Sequence, residues 1–134
     1  MVTKNKRISR EERRNWRELP YEHWNTLTVH AYFTDKNEEM YGAAEYLPMR
    51  NWGFEQGAIK RALDQHGAEV LHRAFDEIFR THRPSQAYPI LTAGFAISYR
   101  LNTLIPNIKA EMERERSELG GSADIDVDEI IGYL

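Results

Sequence analysis

Three side chains on one predicted helix are of the types that hold metal ions or carry out acid–base chemistry. Glu69, His72 and Asp76 are spaced three and four residues apart, so they would share one helix face. Carboxylate-bridged metal sites in helical bundles use such Glu-x-x-His pairs, but they take them from two helices and add two further carboxylates. The chain contains one such copy. A solvated face with a His72–Asp76 contact is therefore favoured, and a metal-dependent enzyme is the alternative.

Other sequence signatures of catalysis are absent. The chain has no cysteine, which excludes thiol nucleophiles, disulfides and thiolate-bound metals. Neither the glycine-rich phosphate-binding patterns nor the Gly-x-Ser-x-Gly nucleophile elbow occurs. His23 and His30 are seven residues apart on one predicted helix, where a structural or pH-sensitive role is favoured over metal binding. We therefore expect a protein without catalytic activity, metal or cofactor.

Basic residues are concentrated at the start of the chain, although the formal net charge is −3. Residues 1–19 contain seven Lys or Arg and three Glu. Basic side chains beside an aromatic ring suit contacts with phosphates and stacking on a base, so this segment is the predicted nucleic-acid interface. Its candidate residues are Lys6, Arg7, Arg10, Arg13, Arg14, Trp16 and Arg17. The alternative is a solubilising terminus, in which Glu11 and Glu12 pair with neighbouring arginines.

A second binding signal lies in residues 122–134, SADIDVDEIIGYL, which we call the acidic-apolar tail. It carries four acidic and no basic residues, and it follows the glycine pair Gly120-Gly121, which predicts a hinge. Its apolar side chains, the candidate partner-binding residues, are Ile125, Val127, Ile130, Ile131, Tyr133 and Leu134. Short acidic segments with apolar anchors often become ordered in a groove of a partner protein. Folding back onto its own domain is the equally weighted alternative.

The composition and patterning predict the elements that must position these groups. Hydrophobic residues make up 41% of the chain and charged residues 29%, as in ordinary globular proteins. We expect an all-α fold, a compact bundle of about five helices with a basic N-terminal arm and a flexible acidic C-terminal tail. The predicted divisions are the arm with its short helix (1–19), the helical domain (20–119) and a C-terminal segment (120–134) made of the glycine pair and the acidic-apolar tail.

Helical periodicity and capping residues indicate the individual elements. Ser9 and Glu12 form a possible capping box for a helix that reaches about Leu19. A second helix is favoured over a strand, and a loop pinned by its aromatic side chains follows. Helix and loop boundaries are expected near residues 21–35 (helix), 37–41 (one turn), 42–53 (loop), 54–66 and 68–81 (helices), 90–105 (central buried helix) and 108–119 (solvated helix).

Three residues carry specific expectations within these elements. Gly67 should cap the third helix, and Gly94 should permit a close helix crossing. Pro106 should kink the chain or restart a helix. The most regular apolar stripe, in the fourth helix, comprises Val70, Leu71, Ala74, Phe75, Ile78 and Phe79.

The two helices around Gly67 also allow a DNA-binding helix-turn-helix as a less favoured interpretation. Basic residues that could cluster there or nearby are Arg50, Lys60, Arg61, Arg73, Arg80, His82 and Arg83. Against it, Phe75 and Phe79 should be buried in the second helix of the pair. No apolar stretch approaches the length of about 18 residues that spans a bilayer, and the start lacks a signal-peptide pattern, so we expect a cytoplasmic protein without membrane contact.

Residues 59–91, IKRALDQHGAEVLHRAFDEIFRTHRPSQAYPIL, resemble in layout the C-terminal domain of DnaD-like replication-initiation proteins of Gram-positive bacteria and their phages. In that family a helix, a short turn and a second helix with an Ala-rich face precede a loop and a Tyr-x-x-Leu helix start. Ala74, Tyr88 and Leu91 occupy those places, and Tyr99 stands where the family has a tryptophan. The resemblance implies a helical adaptor that binds single-stranded or duplex DNA and helps to deliver a replicative helicase, without catalysis.

These observations together predict a non-enzymatic, phage-type accessory or adaptor protein in DNA replication or transcription. Its basic arm would bind DNA, and its tail would bind a protein such as a helicase, a sliding clamp or RNA polymerase. The tail, with its Tyr133-Leu134 pair, is similar in style to the peptides with which phage factors bind a sliding clamp. The alternative is a protein that binds and inhibits or recruits a host enzyme, without contact to nucleic acid.

Overall fold

The computed structural model describes residues 7–124, and within that range the fold consists of helices joined by turns and loops, with no strand. This confirms the all-α class. No helix within this range is long and apolar enough to cross a membrane. The elements are α1 (Arg10–Arg14), a 3₁₀ turn (Tyr21–His23), α2 (Thr26–Tyr41), α3 (Trp52–His66), α4 (Ala68–Thr81), the α-helical turn α5 (Ala93–Phe95), a π-helical turn (Ala96–Arg100) and α6 (Leu101–Asp124).

Helix α2 packs against α1, α3 and α5. It begins at the cap Asn25, whose side chain accepts a hydrogen bond from the Thr28 amide, and it ends at Gly42 in the left-handed conformation (φ 72°). Its apolar residues Val29, Tyr32 and Phe33 are completely buried. The prediction of helix rather than strand is confirmed, but the separate turn predicted after residue 35 is part of the same helix.

Helices α3 and α4 are joined directly at Gly67, which has a φ of 86° and whose amide donates to the carbonyl of Leu63. The predicted cap is therefore confirmed. The boundaries of both helices lie within two residues of those expected. The apolar stripe of α4 is buried as predicted, with Leu71, Phe75 and Ile78 among its completely buried residues.

The helical run from α5 to α6 lies beside the core and not at its centre, which corrects the prediction of a central helix. Tyr99 is 64% exposed, whereas Leu101 is 2% exposed, so this run has a distinct outer face. Pro106 lies inside α6, which continues past it, so the predicted restart of the helix at this proline does not occur; its side chain is exposed, and Ile105 and Ile108 are buried. Helical backbone continues to Asp124, past the glycine pair at which a hinge is predicted.

Candidate nucleic-acid interface

A groove of about 570 Å³ runs along α2, between α1 and the first turn of α3. Its floor includes Leu27, Ala31 and Thr34, which lie on one face of α2. Arginines of α1 form one wall and Trp52 of α3 forms part of the other. We call this feature the basic groove. The basic groove is thus lined by polar, basic and aromatic side chains of α1, α2 and α3.

Helix α1 is held in place by a capping box and by the aromatic residue that follows it. The Ser9 hydroxyl accepts from the Glu12 amide at 3.0 Å, and the Glu12 carboxylate accepts from the Ser9 amide at 2.8 Å, which confirms the predicted box. The helix ends at Arg14, five residues earlier than expected. The turn that follows brings Trp16 into the core.

Trp16 is only 8% exposed and anchors the basic segment to the bundle. Its indole N–H donates to the Asp35 carboxylate at 2.9 Å, and its ring meets the Tyr32 ring edge-on at a centroid distance of 4.9 Å. The prediction that Trp16 stacks on a base is therefore wrong, because the ring is buried against α2. The segment from residue 7 onward packs on the domain and is not a separate arm.

Two of the predicted phosphate-binding arginines have partners in the protein. Arg13 donates a short hydrogen bond to the carbonyl oxygen of His23. The guanidinium of Arg17 lies 4.1 Å from the centroid of the Trp16 ring and forms ion pairs with Asp35 and Glu39. Arg17 does not line the basic groove, so its role is to cover the anchoring ring.

Arg10 and Arg14 are the cations best placed to receive a ligand. Both are exposed, both line the basic groove, and neither has a carboxylate partner within residues 7–124. The single acidic lining residue, Asp35, already accepts from Trp16 and pairs with Arg17. The groove is therefore electropositive. Arg7 is exposed before α1, and Lys6 lies outside the described residues.

The opposite wall of the basic groove contains Trp52, which was predicted only to help hold a loop in place. Trp52, the first residue of α3, is 48% exposed. The His30 ring meets it edge-on at a centroid distance of 4.9 Å, and the Tyr46 ring lies 6.0 Å away. The sequence does offer a signal for a binding role of Trp52. It directly follows Asn51, the cap of α3, and residues of the first turn project from the end of a helix.

His30 is positioned by a buried carboxylate. Its Nε2 atom lies 3.0 Å from Glu55, which also accepts from the Tyr46 hydroxyl at 2.6 Å and from the amides of Met49 and Gly94 at 2.9 and 2.7 Å. Burial would raise the pKa of Glu55, but these hydrogen bonds outweigh it and hold the pKa below the ordinary value. Glu55 therefore ties α2, α3, α5 and the intervening loop together behind the groove.

Gly94 confirms the predicted close crossing at this point. A Cβ atom there would lie 2.9 Å from the Met49 Cβ and 3.0 Å from a Glu55 oxygen. His23 and His30 do not share a helix face, because His23 belongs to the 3₁₀ turn that precedes α2. The structural role predicted for His30 agrees with its contact to Glu55.

The candidate metal ligands do not converge. His72 and Asp76 form the predicted intrahelical contact, at 3.6 Å, but Glu69 is paired with Arg73. His72 also bonds through Nδ1 to the Tyr21 hydroxyl at 2.9 Å, and burial lowers its pKa. No group of three or more potential ligands could hold a metal ion among residues 7–124.

The helix-turn-helix interpretation receives no support from the surface around α3 and α4. Arg73 is engaged by Glu69, Glu111 and Glu115, and burial of Phe75 leaves that side of α4 inside the core. Further ion pairs join Lys60 with Asp64 and Arg80 with Glu77. These cations are therefore surrounded by acids, unlike Arg10 and Arg14.

The predicted partner-binding residues of the tail lie outside the described residues. They are Ile125, Val127, Ile130, Ile131, Tyr133 and Leu134. Comparison with known proteins adds no relative: no protein-family model, curated protein or solved structure matches the chain. The resemblance of residues 59–91 to DnaD-like proteins thus stays a prediction.

Proposed function

We propose that the protein is a non-enzymatic adaptor in DNA replication or transcription, of the kind found among phage accessory proteins, and that it binds single-stranded DNA in the basic groove. The observation that carries this proposal is the placement of Arg10, Arg13 and Arg14 across one groove from the half-exposed Trp52. Sequence-tolerant binding of single strands combines cations that follow the phosphates with aromatic rings on which bases stack.

The two walls of the basic groove would make different contacts with DNA. Arg10 and Arg14, which have no carboxylate partner in the described range, would neutralise phosphates, and Arg13 would add charge beside them. Trp52 would stack on a base, with its ring orientation set by His30. The acidic-apolar tail is the part that we expect to contact protein.

Fluorescence anisotropy with a labelled oligonucleotide, measured over a series of salt concentrations, tests the phosphate contacts. Three contacts on a single strand give a slope of log K against log salt of about −2, so affinity should fall roughly 20-fold between 50 and 200 mM salt. The double variant Arg10→Ala/Arg14→Ala should reduce the magnitude of that slope by about 1.4. Arg114→Ala/Arg116→Ala removes two exposed arginines from α6 and is the matched control, which should keep the slope.

The stacking contact is tested separately with Trp52→Ala. Loss of one stacked base costs about 1–3 kcal/mol of binding free energy, or roughly 5- to 150-fold in affinity, and leaves the salt slope unchanged. Absence of DNA binding, or binding that the Arg10→Ala/Arg14→Ala variant retains in full, would refute the proposal. A partner that remains bound after nuclease treatment would then favour the protein-binding alternative.

A further inference from the structure

A second groove lies on the outer face of the run from α5 to α6 and shares no lining residue with the basic groove. Its volume is about 370 Å³, and it is lined by Met49, Tyr88, Thr92, Phe95 and Tyr99. We call it the aromatic groove. None of its lining residues carries a charge. It includes the π-helical turn, a type of helix irregularity that occurs frequently at functional sites.

The rings of the aromatic groove are exposed although they contact each other. The centroid of Phe95 lies 6.1 Å from that of Tyr88 and 5.3 Å from that of Tyr99. Tyr88 is 63% exposed and Tyr99 is 64% exposed. A cluster of exposed aromatic residues in a concave site is typical of a surface that binds an apolar segment of a protein.

Three arginines directly follow residues that line or neighbour this uncharged groove; the Arg50 guanidinium lies 4.8 Å from the Phe54 ring centroid, and that of Arg100 donates to the Thr81 hydroxyl. Arg50 directly follows Met49, and Arg100 directly follows Tyr99. Arg83 follows His82, whose ring centroid lies 6.1 Å from that of Phe95. Within residues 7–124, the guanidinium groups of Arg50 and Arg83 have no carboxylate partner. An uncharged aromatic groove whose neighbouring residues include arginines without a carboxylate partner fits an acidic segment with apolar anchors.

The chain itself contains such a segment. The acidic-apolar tail alternates Asp124, Asp126 and Asp128 with aliphatic residues and then presents Ile130 and Ile131. We propose that the acidic-apolar tail of one copy of the protein binds in the aromatic groove of a second copy. This inference goes beyond DNA binding and does not depend on it.

The length of α6 favours a second copy over the same chain. The 24 residues of α6 extend about 36 Å, and the aromatic groove lies beyond its first residue. Ile130 is six residues past Asp124 and Leu134 is ten, so full extension carries them at most about 21 Å and about 35 Å back along the helix. The apolar anchors therefore stop short of their own groove. Binding between copies is head-to-tail and brings tail and groove from different chains together.

Light scattering coupled to size exclusion, over a range of protein concentrations, tests the proposal on the full chain. The wild type should increase in mass with concentration. Tyr88→Ser/Tyr99→Ser alters two exposed groove residues, and Ile130→Ser/Ile131→Ser alters the tail; each variant alone should stay monomeric. Leu47→Ser, at a residue that is 60% exposed outside the groove, is the matched control and should associate like the wild type.

Mixing the two variants provides the decisive measurement. One variant keeps an intact tail and the other an intact groove, so an equimolar mixture should form a one-to-one complex that raised salt weakens. A labelled peptide of residues 122–134 should likewise bind the tail variant at least tenfold more tightly than the groove variant. A monomeric wild type at every concentration, association that persists in either variant, or no complex in the mixture would overturn the proposal.

Discussion

Replacement of Glu55 by glutamine should destabilise the fold by about 2–4 kcal/mol at pH 7. The amides of Met49 and Gly94 can only donate, so the glutamine carbonyl must take the position of the oxygen that they share. The glutamine NH₂ then faces His30 and Tyr46, which donate to the carboxylate in the wild type. The bonds from the Met49 and Gly94 amides lose their charge assistance, and the other two re-form, without charge assistance, only if the His30 imidazole and the Tyr46 hydroxyl change from donors to acceptors.

The magnitude follows from the difference between charged and neutral hydrogen bonds. Hydrogen bonds to charged groups contribute about 1.5–3 kcal/mol each and neutral ones about 0.5–1.5, so four bonds lose roughly 4 kcal/mol. Removal of the buried charge offsets part of that loss. Urea unfolding followed by circular dichroism measures the free energy of unfolding. Glu38→Gln, an exposed glutamate on α2, is the matched control and should stay within about 0.5 kcal/mol of the wild type.

The pH dependence gives Glu55 a second signature. Because its pKa is lowered in the folded protein, its stabilising contribution is complete above the ordinary value of 4.5 and is lost as the pH falls below it. The stability difference between wild type and Glu55→Gln should therefore shrink between pH 5 and pH 3. A difference below about 0.5 kcal/mol at pH 7, or one that does not change with pH, would refute the reasoning.

Four further substitutions test the packing that positions the grooves. Gly94→Ala should destabilise the fold by about 1–3 kcal/mol, because the new Cβ would meet that of Met49. Gly57→Ala lies in a helix interior with only a flexible arginine nearby, so it should stabilise the fold by up to about 1 kcal/mol. Thermal unfolding of both variants measures these changes. Trp16→Ala should cost about 3–5 kcal/mol in urea unfolding, and a cost near zero would mean that the segment is a free arm. Burial lowers the pKa of His72, so the wild type should lose stability as the pH falls from 7 to 5, and His72→Phe should lose less.

Features that depend on residues close together along the chain could be predicted from the amino-acid sequence. The helical periodicity of α4, the capping box at Ser9 and the glycine cap with positive φ at Gly67 each involve residues within about one or two turns of each other, which is the range over which helical spacing carries information. The contact of His72 with Asp76 belongs to the same class. For these features the local pattern and the fold agree.

The choice of the aromatic residue that faces the basic groove depends on how separate helices pack together. Trp16 is buried by a partner 19 residues away, Asp35, and Glu55 is satisfied by Gly94, 39 residues away. Spacing along one helix cannot indicate such pairs, because they depend on how separate helices pack. The buried hydrogen bonds of Glu55 hold the α3 framework behind Trp52, and burial of Trp16 presents the α1 arginines opposite it. The interface predicted for the N-terminal segment thus requires α2 and α3 to complete it.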